Sequence, residues 1–181
     1  MRRWLLRRAF SAFECKYGYD TSYLRAMARA DLRTAWRFAR LPGVARARCG
    51  MPAAPWFAAK LRAILVEDCG PCTQLMVTMA ERSGVPGPVL QAAIVGNYAA
   101  LPAEVALACR FADAVAARDP AAEVLRQHIV DLWGEPAMVA LSVSMAIGRV
   151  YPSVKYAMGY GRACTRVSVA GGVVPVLRHA A

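Results

Sequence analysis

Between Trp56 and Val150 apolar residues recur at helical spacing, and proline and glycine cut that stretch into pieces. Pro71, Pro88, Pro102, Pro120 and Pro136 stand at or near the starts of the pieces, where a missing N–H costs nothing. Gly84, Gly96 and Gly134 stand at their ends, where a left-handed residue closes a helix. The stripes are Phe57, Leu61, Ile64, Leu65; then Leu75, Met76, Met79, Ala80; then Val89 to Val95. They continue as Val105, Ala108, Phe111, Ala112, Val115; as Leu125, Ile129, Leu132; and as Val139, Val143, Ala146, Ile147, Val150. Upstream, residues 2–14 predict a short amphipathic helix, with Trp4, Leu5, Ala9, Phe10 and Phe13 on its apolar side. Asp20 or Thr21 caps a second helix carrying Tyr23, Leu24 and Met27, and Leu32, Trp36, Phe38 and Leu41 continue the pattern to Pro42-Gly43. Residues 165–181 are Gly- and Val-rich, a tail or a short strand. The expected fold class is all-α.

Within this frame the stretch that carries chemistry is Glu67-Asp68-Cys69-Gly70-Pro71-Cys72. With Asp68 or Cys69 as the cap, Pro71 falls in the first turn of a helix, and the positive helix end faces both sulfurs and favours thiolate. A lowered thiol pKa makes such a pair reactive near neutral pH. Once one sulfur is oxidised or joined to a partner, its neighbour is placed to displace it as an intramolecular disulfide. Glu67 and Asp68 add negative charge that opposes this, and Glu67 buried would be a proton acceptor. A zinc site needs two more ligands. Cys15, Cys49, Cys109, Cys164, His128 and His179 are available, and none forms a second close pair. The plain alternative is two buried thiols that only pack. Dithiol exchange calls for no cofactor and no metal. A thioredoxin-like reading shares the tetrapeptide but requires alternating strands and helices, which this sequence does not supply.

The length of 181 residues suits one domain, or one domain with an N-terminal extension. An apolar fraction of 57% predicts buried subunit interfaces as well as a core. No apolar run reaches bilayer-spanning length; the longest candidate, 137–148, reads as a buried helix. The net charge of +11 is concentrated: the first 48 residues hold twelve Lys and Arg against three Asp and Glu. Such a segment suits an anionic lipid surface or an acidic partner. Nucleic acid is not expected, because no DNA- or RNA-binding signature accompanies the charge. Trp4-Leu5-Leu6 is too short for the apolar core of a signal peptide, and Arg7-Arg8 interrupts it. The expected location is cytoplasmic, with the cysteines reduced at rest.

The ordered pieces Ala59-Lys60-Leu61-Arg62, Cys69-Gly70-Pro71-Cys72, Gly84-Val85-Pro86, Leu101-Pro102-Ala103-Glu104 with Phe111-Ala112-Asp113-Ala114, and Leu132-Trp133-Gly134 before a long apolar helix resemble the AhpD-like, carboxymuconolactone decarboxylase superfamily. The resemblance covers roughly residues 55 to 160, and Tyr17 to Asp20 is similar to the lead-in of some members. With the charge and composition of the two ends, the expected division is a basic N-terminal helical extension over 1–50, an AhpD-like redox helical domain over 51–162, and a C-terminal tail over 163–181. The resemblance further implies a homo-oligomer, often a trimer or hexamer, with peroxidase or thiol–disulfide oxidoreductase activity. By that resemblance Cys72 attacks the peroxide and Cys69 resolves, whereas the helix-end argument favours Cys69 as the more acidic thiol. The substrate is then a small peroxide or disulfide, and a reducing protein or thiol restores the pair.

Two departures stand out. The family's His four residues after the second cysteine is here Met76, and its Glu twelve residues before the first is Phe57. Losing one general acid or base typically costs ~10²–10⁴-fold, and Glu67 is the best substitute in the sequence. Three functions therefore stay open: an alkylhydroperoxidase-like thiol oxidoreductase, a lyase of the decarboxylase branch, and a non-catalytic oligomeric redox-sensing or binding protein.

Overall fold

A computed structural model of the chain describes residues 2–163 and 166–176, so Cys164 and His179 lie outside the described residues. Most helix ends fall where the punctuation places them, but Pro42-Gly43, expected to stop a helix, lies inside a short one of its own. The helices are α1 (Arg2–Tyr17), α2 (Ser22–Ala30), α3 (Leu32–Phe38), α4 (Leu41–Val44), α5 (Ala53–Leu65), α6 (Gly70–Arg82), α7 (Gly87–Val95), α8 (Ala103–Ala117) and α9 (Ala121–Ala157). A single hairpin follows, β1 (Arg166–Val169) and β2 (Gly172–Pro175). The chain is thus mostly helical with one small two-stranded sheet.

The core is built around α5, whose residues from Pro55 to Ile64 are all buried. It starts before Trp56, since Pro52 is extended and Ala53, Ala54 and Pro55 all fit a first turn. Leu61, Ile64, Val77, Leu90, Ile129 and Leu141 meet in the main cluster, bringing α5, α6, α7 and α9 together. Gly148 of α9 lies so close to Ile64 that a Cβ there would stand 3.3 Å from its side chain. The expected break between two helices appears at Gly134, where φ 82 and ψ 165 interrupt α9. Pro152 does not end that helix, which runs on to Ala157. By length and mean hydropathy (1.3) a stretch of α9 would suffice to cross a membrane. Here Ala137, Met138, Leu141 and Met145 of the same helix are buried in the protein core.

Residues 2–44 form a helical layer with its own small core. Leu6 and Phe10 of α1 pack on Met27, Ala28 and Ala35, and Val154 and Met158 at the end of α9 join them. Leu6 turns inward, whereas Trp4 and Leu5, expected on the apolar side, are exposed. Arg8 covers the Trp4 ring at 4.9 Å. Glu14 binds the Thr21 hydroxyl and Arg25, which fixes the turn between α1 and α2.

The C-terminal residues form a hairpin where the sequence left a tail or a strand. Its turn residues Ala170 and Gly171 both have positive φ, 48 and 80, which is the geometry two-residue hairpin loops need. Gln74 of α6 acts as a surrogate strand: its amide donates to the Ser168 carbonyl (3.0 Å) and accepts from the Ser168 N–H (2.8 Å). The buried face of β1 is Val167 and Val169, seated against the main cluster.

Candidate functional site

Cys69 is the N-cap of α6, and Pro71 lies in its first turn. The approach to it is a tight turn. The Glu67 and Asp68 amides bond back to Ile64 and Leu65, and Asp68 takes a left-handed φ of 47. Tyr156 donates to the Asp68 carbonyl at 2.8 Å and holds that turn to α9. The amides that a helix start leaves over are accounted for one by one. Gly70 donates to the Arg162 carbonyl (3.0 Å), Pro71 has none, and Thr73 donates to the Cys69 carbonyl (2.9 Å). The Cys72 amide acts on the Cys69 sulfur and favours its anion.

The two sulfurs are shifted in opposite directions. The Cys72 thiol donating to Cys69, helped by the Cys72 amide and by Lys155, brings Cys69 down to about 7 against the cost of burial. The same hydrogen bond, with burial and the neighbouring charge, pushes Cys72 upward. The direction of both shifts favours the anion on Cys69, through its neighbour's hydrogen bonds and Lys155. Both sulfurs are buried; Cys69 is 0% exposed and Cys72 5%.

What covers them comes from far along the chain. The Tyr19 hydroxyl, between α1 and α2, lies 3.7 Å from the Cys72 sulfur. Its ring meets Tyr23 edge-on, with centroids 6.5 Å apart. The Lys155 ammonium of α9 sits 4.6 Å from the Tyr19 ring and 5.1 Å from the Tyr23 ring. Lys155 is only 3% exposed, and among the described residues no carboxylate forms an ion pair with it. Burial, with Tyr23 and Cys72 beside it, pushes the Tyr19 hydroxyl far above the usual phenol range, so it stays protonated. The surroundings of the dithiol are thus two phenols and an ammonium, not hydrocarbon alone.

Glu67 is not part of this group. Its carboxylate accepts from Arg149 Nε (2.6 Å) and Ser153 Oγ (3.1 Å), and among the described residues no hydrogen bond joins it to either thiol. The tight turn after Leu65 directs it to α9, which leaves the base role without a contact to carry it. Met76 and Phe57 are buried in the same cluster as the cysteines. Cys15 and Cys49 are exposed, and Cys109 is buried beside Arg62 with its thiol pushed up to about 12 by burial. His128 is on the exposed side of α9. Among the described residues no three His, Cys, Asp or Glu side chains converge as a metal site would require.

No family model, no curated protein and no solved structure matches the chain. The geometry therefore stands by itself. Two pieces that the sequence sets far apart do meet in it: Arg62 Nε of α5 donates to Asp113 Oδ1 of α8 at 2.8 Å. Arg62 also reaches the Ala93 and Ile94 carbonyls near the end of α7, and Tyr98 donates to Asp113. That cluster braces the helices around α5; it does not touch the thiols.

Proposed function

We propose that the protein is a thiol–disulfide oxidoreductase of the alkylhydroperoxidase-like kind, with Cys69 and Cys72 as its redox pair. The observation that supports this reading most is the setting of the pair: Cys69 is the N-cap of α6 with Cys72 one turn on, and the Tyr19 hydroxyl lies 3.7 Å from the Cys72 sulfur. A pair that merely packs has no need of a phenol and a buried ammonium beside it. The resemblance in the order and spacing of the sequence pieces points the same way.

The chemistry closes in two steps. Cys72, the attacking thiol that the resemblance implies, passes its proton to Cys69 and attacks the O–O bond of a hydroperoxide, giving a sulfenic acid and an alkoxide that takes up a proton. The Cys69 thiol then attacks the sulfenic sulfur, its proton leaving with the hydroxyl as water. One dithiol monoanion, one proton and one hydroperoxide become a disulfide, an alcohol and water. A reducing protein or small thiol returns two electrons by exchange. We place the reaction in the cytoplasm, in a homo-oligomer, with the basic N-terminal helices free to lie against an anionic surface or an acidic partner.

Steady-state reduction of a small alkyl hydroperoxide with dithiothreitol as reductant tests the reading. Turnover is expected in the wild type and none in Cys72→Ser. Cys69→Ser is expected to accumulate a sulfenic acid that dimedone traps on Cys72. Undiminished hydroperoxide turnover in the Cys69→Ser/Cys72→Ser double variant would overturn the reading, and turnover of a small lactone or acid by that variant would move the assignment to the lyase branch.

A further inference from the structure

The proton relay that Met76 and Phe57 cannot form has a counterpart on the other side of the dithiol. We propose that Tyr19 is the hydrogen-bond donor that stabilises the leaving oxygen, and that Lys155 is the fixed counter-charge of the thiolate. This rests on the dithiol reading above and adds two residues from outside the α5–α6 core. The geometry points to them separately. Tyr19 reaches the Cys72 sulfur with its hydroxyl (3.7 Å), so a peroxide oxygen bonding to that sulfur brings the next oxygen near the same hydroxyl. Lys155 is buried without an ion-pair partner among the described residues. A buried cation that faces only aromatic rings is costly unless an anion lies nearby. The anion at hand is the dithiol's single negative charge, which Lys155 favours on either sulfur.

In this scheme the proton follows a stated path. As the O–O bond breaks, the developing alkoxide accepts a hydrogen bond from the Tyr19 hydroxyl and takes its proton from solvent, while Lys155 balances the charge as it leaves sulfur. The phenol keeps its own proton throughout, so the balance given above is unchanged. The groups that face the pair are Tyr19 and Tyr23 from the N-terminal layer, Lys155 from α9, and Asp68 from the turn before α6. Asp68 opposes the Cys69 anion, and Tyr151 bears on Tyr23 from the α9 side. Lys155 is the one cation among these groups.

Two chemistries separate the roles. Alkylation by iodoacetamide needs a thiolate but no donor to the leaving atom, since iodide leaves unprotonated; hydroperoxide reduction needs both. Site-resolved alkylation of Cys69 and Cys72 against pH is expected to give a wild-type midpoint near 7. Lys155→Met should raise it by about one pH unit or more, and Lys155→Arg should hold it within about half a unit. Tyr19→Phe should leave the Cys69 alkylation midpoint in place while slowing disulfide formation by hydroperoxide at least ~10-fold. An unchanged midpoint in Lys155→Met, or a Tyr19→Phe variant that slows both reactions alike or neither, overturns the assignment. Absence of a Cys69–Cys72 disulfide in the oxidised wild type is a different failure: it removes the dithiol reading before any variant is compared.

Discussion

Lys60 shows how far burial alone moves a group in this core. Its ammonium lies 4.0 Å from the Trp56 ring, and burial lowers its pKa from the ordinary 10.5 to about 8. Below about pH 8 both folded and unfolded chains carry the charge, so the full cost of burying it stands. As pH rises from about 8 towards 10.5 the folded chain has already released the proton that the unfolded chain still holds, so stability rises. Lys60→Met should therefore stabilise the protein at pH 7 by about 1 kcal/mol, a rise in Tm of roughly 2–4 °C. Thermal melts between pH 7 and 10 should also lose most of their upward slope; a variant that melts lower at pH 7 would contradict the argument. The contrast with Lys155 is instructive. Both lysines sit on aromatic faces, but only Lys155 has the dithiol's charge within reach. Sequence signals for the site were uneven at this scale. Cys69 and Cys72 were plain, whereas Tyr19 stands 53 residues from its sulfur. One trace of Lys155 was present: it continues the spacing of Leu141, Met145, Gly148 and Pro152, a lysine on an otherwise buried stripe.

Among the helices, the Arg62–Asp113 pair is the main polar brace. Arg62 is buried to 5% while Asp113 is about a third exposed, so the arginine depends on that carboxylate and on the Ala93 and Ile94 carbonyls. Removing one partner of a fully buried pair costs about 3–5 kcal/mol; with Asp113 partly in water, Asp113→Ala should cost nearer 2 kcal/mol. Urea unfolding measures it, and a loss below about 0.5 kcal/mol would show that the brace is ornamental. Helix ends were legible because Pro and Gly act locally. Gly134, whose φ and ψ belong to a region that glycine alone enters readily, is an example. The hairpin was not, because its strands are four residues long and are held by a Gln74 side chain 94 positions away. No local pattern encodes that contact.

At the scale of the whole molecule, the N-terminal layer is both a charged surface and the roof of the site. It supplies the Tyr19 hydroxyl to Cys72 and shares its small core with Val154 and Met158 of the helix that carries Lys155. The chain's positive charge is thus concentrated in the segment whose Tyr19 lies against the Cys72 sulfur. The sequence showed the concentration of charge and the helices that bear it, but not that they fold back over the dithiol, since that depends on pairings such as Glu14 with Arg25 and Thr21. Everything rests on two enclosed sulfurs being able to exchange electrons with a small oxidant. Peptide mass spectrometry after one equivalent of alkyl hydroperoxide measures this most directly. The predicted result is an internal Cys69–Cys72 disulfide, formed ahead of any oxidation at the exposed Cys15 and Cys49 and reversed by dithiothreitol. Oxidation confined to Cys15 and Cys49, with Cys69 and Cys72 left as free thiols, would contradict it.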